Sequence, residues 1–365
     1  MRQLFFRTVI TASSLLAGAA LATDTLPRRA KAPQETYPNV DVVYNSVVGP
    51  RGERLRTIVT KPNDVGGRLP VIFVAGWLSC DSVEAPNDTT DATSLVFRGL
   101  AQMPGFCTVR VDKQGVGDSE GVCSDNDFES ELAGYRTAFR ALHRYDFIDA
   151  NQVYMLGISN GGGFAPLVPE SEVEQMQGRG YISVGGWIKT WFEHMLEIER
   201  RRFALMGKSP GEVSDRMKKA AALYYDWLIK GRGVAEVIKE RPELAELWPE
   251  GADQAHLYGR ALKFYEQLQK LNLAAAWSRV KVPTYVLHGQ YDWIMSREDP
   301  ELMAQYVNTN RPGAARFVEV SDMGHTFQHY LSMADAFKGK NAPFDLAVLQ
   351  LVTDWFKQRL AEGQK

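Results

Sequence analysis

Three short apolar runs constrain this chain more than anything else in it: 70–75 (PVIFVA), 106–111 (FCTVRV) and 152–157 (QVYMLG). Runs of this kind suit strands buried on both faces, as in a parallel sheet. The stretches between them read as helices. Residues 92–102 carry Leu95, Val96 and Leu100, and 128–143 carry Leu132, Tyr135, Phe139 and Leu142 at helical spacing, with Asp127 as the N-cap of the second. In front lie two alternating, β-branched stretches, 40–48 and 53–60, joined by the turn signal Gly49-Pro50-Arg51-Gly52, which predict an antiparallel hairpin. Further strands are predicted at 180–186, 283–288 (PTYVLH) and 316–320, and a helix over 344–360 closes the chain. This order predicts an α/β fold: a mostly parallel central sheet with an N-terminal antiparallel hairpin and helices on both faces.

One block breaks the alternation. Residues 188–278 show helical patterns with Trp191, Trp227, Trp248 and Trp277 and no convincing strand, so they read as a helical cap inserted in a core of residues 39–187 and 279–365. Residues 1–22 combine Arg2 and Arg7, an apolar stretch and the small-residue ending Ala20-Leu21-Ala22, the pattern of a secretory signal cleaved after Ala22. The expectation is a secreted or periplasmic protein with no stable membrane insertion after signal removal. Residues 23–38, rich in Pro and charge, read as a leader or linker. A formal net charge of −2 provides no field to gather nucleic acid. An exported chain with 3 Cys can form one internal disulfide. Cys80 and Cys123 each follow a predicted parallel strand and emerge at the same sheet edge, whereas Cys107 starts a strand at the other; Cys80–Cys123 is the expected pair.

The strongest chemical signal is Gly157-Ile158-Ser159-Asn160-Gly161, directly after a buried strand and before a glycine-rich helix start. A strand-to-helix turn this tight thrusts the Ser side chain out at the sheet edge, and small residues on either side let the backbone close. The helix N-terminus behind it favours a developing oxyanion. Pro166 and Pro169 predict that this helix is short or kinked. A Ser nucleophile needs a base, and the base needs an acid to fix its tautomer. Of 6 His, His325 stands on a loop just after the last strand, at the edge where Ser159 emerges; His329 is the alternative. Asp292 follows the strand 283–288 at the same edge, and the loop 185–190 has no acid to offer in its place. No metal-ligand spacing is present, so neither a metal nor an organic cofactor is expected.

The order Ser159, Asp292, His325 and the strand pattern resemble the α/β-hydrolase superfamily over residues 40–186 and 280–360. The resemblance implies an acyl-enzyme mechanism, with the backbone N–H groups of Trp77 (in Ala75-Gly76-Trp77) and Asn160 forming the oxyanion hole. The stretch 112–121 is similar to the family's D-x-x-G-x-G-x-S-x-G turn beside the active site; its wording also resembles acyl-ester and dipeptide-releasing members. Ala75 replaces the usual His before Gly76. Trp187 and Trp191 are the expected pocket walls. The expected substrate is a carboxylic ester or a short peptide. In the peptidase alternative, Glu193, Glu197 and Glu199 of the cap would hold a substrate ammonium, although their arginine neighbours suit an ion-paired helix face. A third alternative is a catalytically silent fold used for binding.

Overall fold

The computed structural model describes residues 26–63, 65–169, 178–248 and 253–363; the signal-like segment 1–22 lies outside them. In chain order the elements are β1 (Val40–Val48), β2 (Arg54–Pro62), β3 (Leu69–Ala75), α1 (Ala92–Ala101), β4 (Cys107–Val111), α2 (Phe128–Arg140), β5 (Ile148–Ile158), α3 (Asn160–Phe164) and β6 (Gly178–Val184). The inserted block follows: α4 (Trp191–Leu205), α5 (Pro210–Tyr224), α6 (Val234–Glu240), β7 (His256–Leu257), β8 (Arg260–Ala261), α7 (Leu262–Gln269) and α8 (Leu273–Ser278). The core then resumes with β9 (Thr284–Gly289), α9 (Glu298–Asn310), β10 (Ala315–Val320), α10 (Met333–Phe337) and α11 (Leu346–Gly363).

One 8-stranded sheet has the order β1-β2-β4-β3-β5-β6-β9-β10. The hairpin β1–β2 and the β2–β4 pair are antiparallel; the remaining pairs are parallel. The run in β3 is apolar throughout because both its faces are covered. Val71, Phe73 and Ala75 share one core layer with Leu132, Tyr135 and Phe139 of α2 and Met303 of α9. Ile72 and Val74 share the other with Val96 and Leu100 of α1 and Val348, Val352 and Phe356 of α11. Each such buried side chain contributes about 1.5–3 kcal/mol. Asp127 caps α2 as expected, accepting from Ser130 N at 2.9 Å.

Strand order also fixes where a site can open. From β3 the chain steps to β4 on one side and then to β5 on the other. The loops after β3 and β5 therefore diverge and leave a crevice at the strand ends.

Two regions differ from the sequence expectation. Residues 26–38 are not a free leader. Arg29 N and Ala30 N donate to Asp118, Arg56 donates to Leu26 O, and Glu35 pairs with Arg110 at 2.7 Å, both side chains buried. Arg110 and Asp118 are buried charges; the segment supplies the carboxylate of Glu35 to the first and, beside Arg56 of β2, two N–H groups and Arg28 to the second, and removing such partners is costly. The inserted block is mainly helical but holds the two-stranded hairpin β7–β8, too short to show any alternation in sequence. Its interior, including Trp191, Trp227 and Trp277, is continuous with the core layer on the α2 face.

Candidate active site

Ser159 stands between β5 and α3 with φ 55°, a left-handed conformation unusual for a residue with a side chain. The flanking glycines are steric requirements of that turn. A Cβ on Gly157 would lie 2.5 Å from Gly161 O, and one on Gly161 only 2.1 Å from Ala75 O. Gly161 N donates to Gly76 O at 2.8 Å, tying the elbow to the loop after β3. The helix behind Ser159 is short, as its prolines predict: α3 ends at Phe164 and a 3-10 turn, Ala165–Leu167, follows.

Loops after β9 and β10 bring the other two groups. Tyr291 N donates to Met323 O and Gln290 N to Val320 O, so the loops are held together. His325 Nε2 lies 2.8 Å from Ser159 Oγ, and His325 Nδ1 lies 2.9 Å from Asp292 Oδ2. The other carboxylate oxygen of Asp292 accepts from the backbone N–H groups of Ile294 and Met295, each at 2.9 Å. Burial acts to raise the Asp292 carboxyl. The charge and hydrogen bond of His325, with His288 and the Met295 N–H, outweigh it and hold the group below the usual carboxylate range. His329, the alternative base, instead hydrogen-bonds Pro343 O at 3.1 Å.

The loop after β3 is fixed from beneath. Buried Lys113 donates to Trp77 O and, at 2.9 Å, to Ser79 O, while Arg260 donates to Leu78 O at 3.1 Å. Three successive carbonyls are thus held by two buried cations, which fixes the peptide planes that follow Trp77, while the plane carrying the Trp77 N–H is held by Gly161 N on Gly76 O. Arg260 also pairs with Glu131, and Lys113 lies 3.8 Å from the same carboxylate. Among the described residues no hydrogen-bond acceptor engages the backbone N–H of Trp77 or Asn160. Cys80 and Cys123 are bonded, with Cα atoms 6.0 Å apart, and fasten the end of this loop to the turn after β4; Cys107 is free and buried.

Above Ser159 lies a cavity of about 880 Å³. Helix α4 lines it with Trp191, His194, Ile198 and Arg202, spaced three, four and four residues apart on one helical face. Trp77, Leu78 and the run Trp293–Met295 face it from the core. Neither His194 nor 293–295 was singled out in the sequence. The helical phase of α4 from Trp191 could have found His194, and adjacency to Asp292 the latter.

Two sequence expectations are corrected. Trp187 is not a cavity wall: it is fully buried, its Nε1 donates to Asn160 Oδ1 at 3.0 Å, and its ring packs edge-on against Trp191. It precedes the N-cap Thr190, so the helical phase of α4 does not set its direction. Nor do the three cap carboxylates line the cavity. Glu193 completes the capping box of α4, Glu197 pairs with Lys189 and Arg201, and Glu199 pairs with Arg202 and Arg216.

The fold recurs widely among solved structures. Est1E from Butyrivibrio proteoclasticus, in its complex with ferulic acid, superposes with a TM-score of 0.53 at 15% identity, covering 87% of this chain and 99% of that one. Carboxyl esterase 2 from Tuber melanosporum gives 0.51 at 16% identity, with 90% of each chain covered. Pyrococcus horikoshii acylaminoacyl peptidase gives 0.54 at 12% identity, over 88% of this chain and 42% of that one. These likenesses establish the α/β-hydrolase fold. No curated protein matches the chain in sequence. The family model for X-Pro dipeptidyl-peptidase (S15 family) matches residues 51–319, most of the chain, and the protein is therefore a serine hydrolase belonging to the S15 family.

Proposed function

We propose that the protein is an exported serine esterase that cleaves carboxylic esters through an acyl-enzyme on Ser159. The observation that carries this reading is the unbroken relay Ser159–His325–Asp292, with contacts of 2.8 and 2.9 Å, at the floor of the cavity. Ser159 Oγ attacks the ester carbonyl as its proton passes to His325 Nε2. Asp292 holds the Nδ1–H and stabilises the imidazolium. The N–H groups of Trp77 and Asn160 receive the oxyanion, the departing alcohol takes the proton from Nε2, and water then repeats the sequence on the acyl-enzyme.

Ester substrates are favoured because, among the described residues, the cavity has no carboxylate on its cap side for a substrate ammonium. Of the acids at its mouth, Glu84 pairs with Arg28 and bonds Tyr44, Asp91 caps α1, and Asp81 accepts from Ser79 at 2.6 Å. Release of dipeptides is the second reading, and family membership favours it. Comparing kcat/KM for nitrophenyl acyl esters with that for X-Pro anilides decides between them: the proposal requires the esters to be preferred, and a preference for the anilides overturns it. Export is supported by the charged and apolar start of residues 1–22 and by a disulfide suited to an oxidising compartment. A mature N-terminus at Thr23 in secreted or periplasmic material is the expected result, and an unprocessed cytoplasmic chain contradicts it.

A further inference from the structure

The carboxylate that orients His325 is itself held by two peptide groups: Asp292 Oδ1 accepts from Ile294 N and Met295 N, each at 2.9 Å. The Ile294 N–H shares its peptide unit with Trp293 O, and the Met295 N–H shares its unit with Ile294 O. In a trans peptide the N–H and C=O point in opposite directions, so the carbonyl ends of both units face away from Asp292. One side chain takes them both. Arg201 Nε donates to Trp293 O at 2.8 Å, and Arg201 Nη2 donates to Ile294 O at 2.6 Å. Arg201 belongs to α4 of the inserted block, 92 residues before Trp293. Its Nη1 lies 3.8 Å from Glu197 Oε2, and Glu197 also accepts from Lys189 at 2.5 Å, so the guanidinium is steadied from its own helix. Its neighbour Arg200 is exposed and has no hydrogen bond or ion pair among the described residues.

We infer that Arg201 is a positioning residue of the relay: through one guanidinium the cap fixes the two peptide units that aim Asp292 at His325. The planar fork of a guanidinium suits two adjacent carbonyls. A charged donor on each carbonyl also polarises its peptide unit and strengthens the opposite N–H as a donor to the carboxylate. Without Arg201 the turn 293–295 is free to tilt, and the 2.9 Å contact from Asp292 Oδ2 to His325 Nδ1 loses its fixed geometry. A misplacement of about 1 Å near the chemistry costs about 10²-fold. The role follows from the relay alone and holds whether the substrate is an ester or a peptide.

The second-order rate of fluorophosphonate labelling at Ser159 reads the relay without reference to substrate class. Arg201→Met lowers that rate constant about thirtyfold, and at least tenfold, whereas Arg200→Met, which removes a charge from the same helix, stays within about twofold of wild type. A residue that merely packs the cap on the core costs the same factor in any background, so the deciding comparison is a double-mutant cycle with Asp292→Asn. Because Arg201 acts through Asp292, adding Arg201→Met to Asp292→Asn lowers the rate by no more than about threefold; millimolar reagent and long incubation make these slow variants measurable. A fall smaller than tenfold in Arg201→Met, an equal fall in Arg200→Met, or a fall greater than threefold in the Asp292→Asn background overturns the inference. If circular dichroism shows that Arg201→Met does not fold, Arg201→Lys takes its place, since one ammonium cannot fork onto both carbonyls. A fall of about threefold or more, confined to the enzyme that keeps Asp292, is then expected, and a smaller fall or one that persists with Asp292→Asn overturns the inference. A wild-type protein that takes no label removes the relay, and the role of Arg201 with it.

Discussion

Asp292→Asn is the substitution whose consequence the geometry fixes most tightly. One oxygen of Asp292 accepts two backbone N–H groups, from Ile294 and Met295, and the other faces His325 Nδ1. An Asn side chain of the same shape must choose. With its amide oxygen on the two N–H groups both bonds survive, and its NH₂ faces His325. The flipped orientation sets NH₂ against two donors and orphans both, at about 1–3 kcal/mol each, or about 2–6 kcal/mol together. The first orientation therefore dominates by about thirtyfold or more. A donor opposite Nδ1 forces the His325 proton onto Nε2, the atom that should accept from Ser159 Oγ at 2.8 Å. The expected result is a loss of kcat of about 10⁴, equivalent to about 5.4 kcal/mol of barrier, with KM changed little. Initial rates on a nitrophenyl ester, with circular dichroism to verify the fold, measure it. An Asp292→Asn enzyme that keeps more than about a tenth of wild-type kcat refutes the reasoning.

Lys113→Met frees the carbonyls of Trp77 and Ser79; kcat on the same ester should fall about 10²-fold with KM within about threefold, and an unchanged kcat contradicts the role given to this lysine. Reducing Cys80–Cys123, which are 43 residues apart in sequence, releases a loop whose closure is worth up to about 4 kcal/mol, so the urea midpoint should drop clearly with reductant; coincident curves contradict this. Burial raises the Asp299 carboxyl to about 6 even though it accepts from the N–H groups of Ile188 and Lys189. Its folded pKa is above the unfolded value near 4, so stability is fully retained below about pH 4 and is lost as pH rises to about 6, by about 3 kcal/mol. The stability of Asp299→Asn relative to wild type should therefore grow across that window and then level off, and a pH-independent difference in urea unfolding contradicts it.

The sheet and the relay were legible because each depends on short-range rules. Runs buried on both faces write themselves as apolar stretches, and the elbow needs Gly157 and Gly161 where a Cβ would strike backbone. His325 follows from its loop after β10, and Asp292 from the absence of an acid after β6. What escaped the sequence was long-range pairing. Arg28 and Asp118 meet across 90 residues, so 26–38 reads as a linker until its partners are seen. A lysine is ordinarily a surface residue, and nothing local to Lys113 signals that Glu131 and two loop carbonyls surround it. Strands of two residues, as in β7 and β8, are too short to carry a period. Glu197 and Glu199 of α4 are ion-paired, as their arginine neighbours suggest, whereas Glu193 caps the helix, and nothing local signals that Glu199 is buried at 2% exposure.

The central claim is that His325 activates Ser159 as the nucleophile. Incubation with a fluorophosphonate followed by peptide mass mapping tests it most directly. The account predicts one stoichiometric adduct, on the peptide containing Ser159, formed fast in wild type, slowly in His325→Ala and not at all in Ser159→Ala. Equal labelling of Ser159→Ala, or no adduct on the wild-type protein, would contradict it.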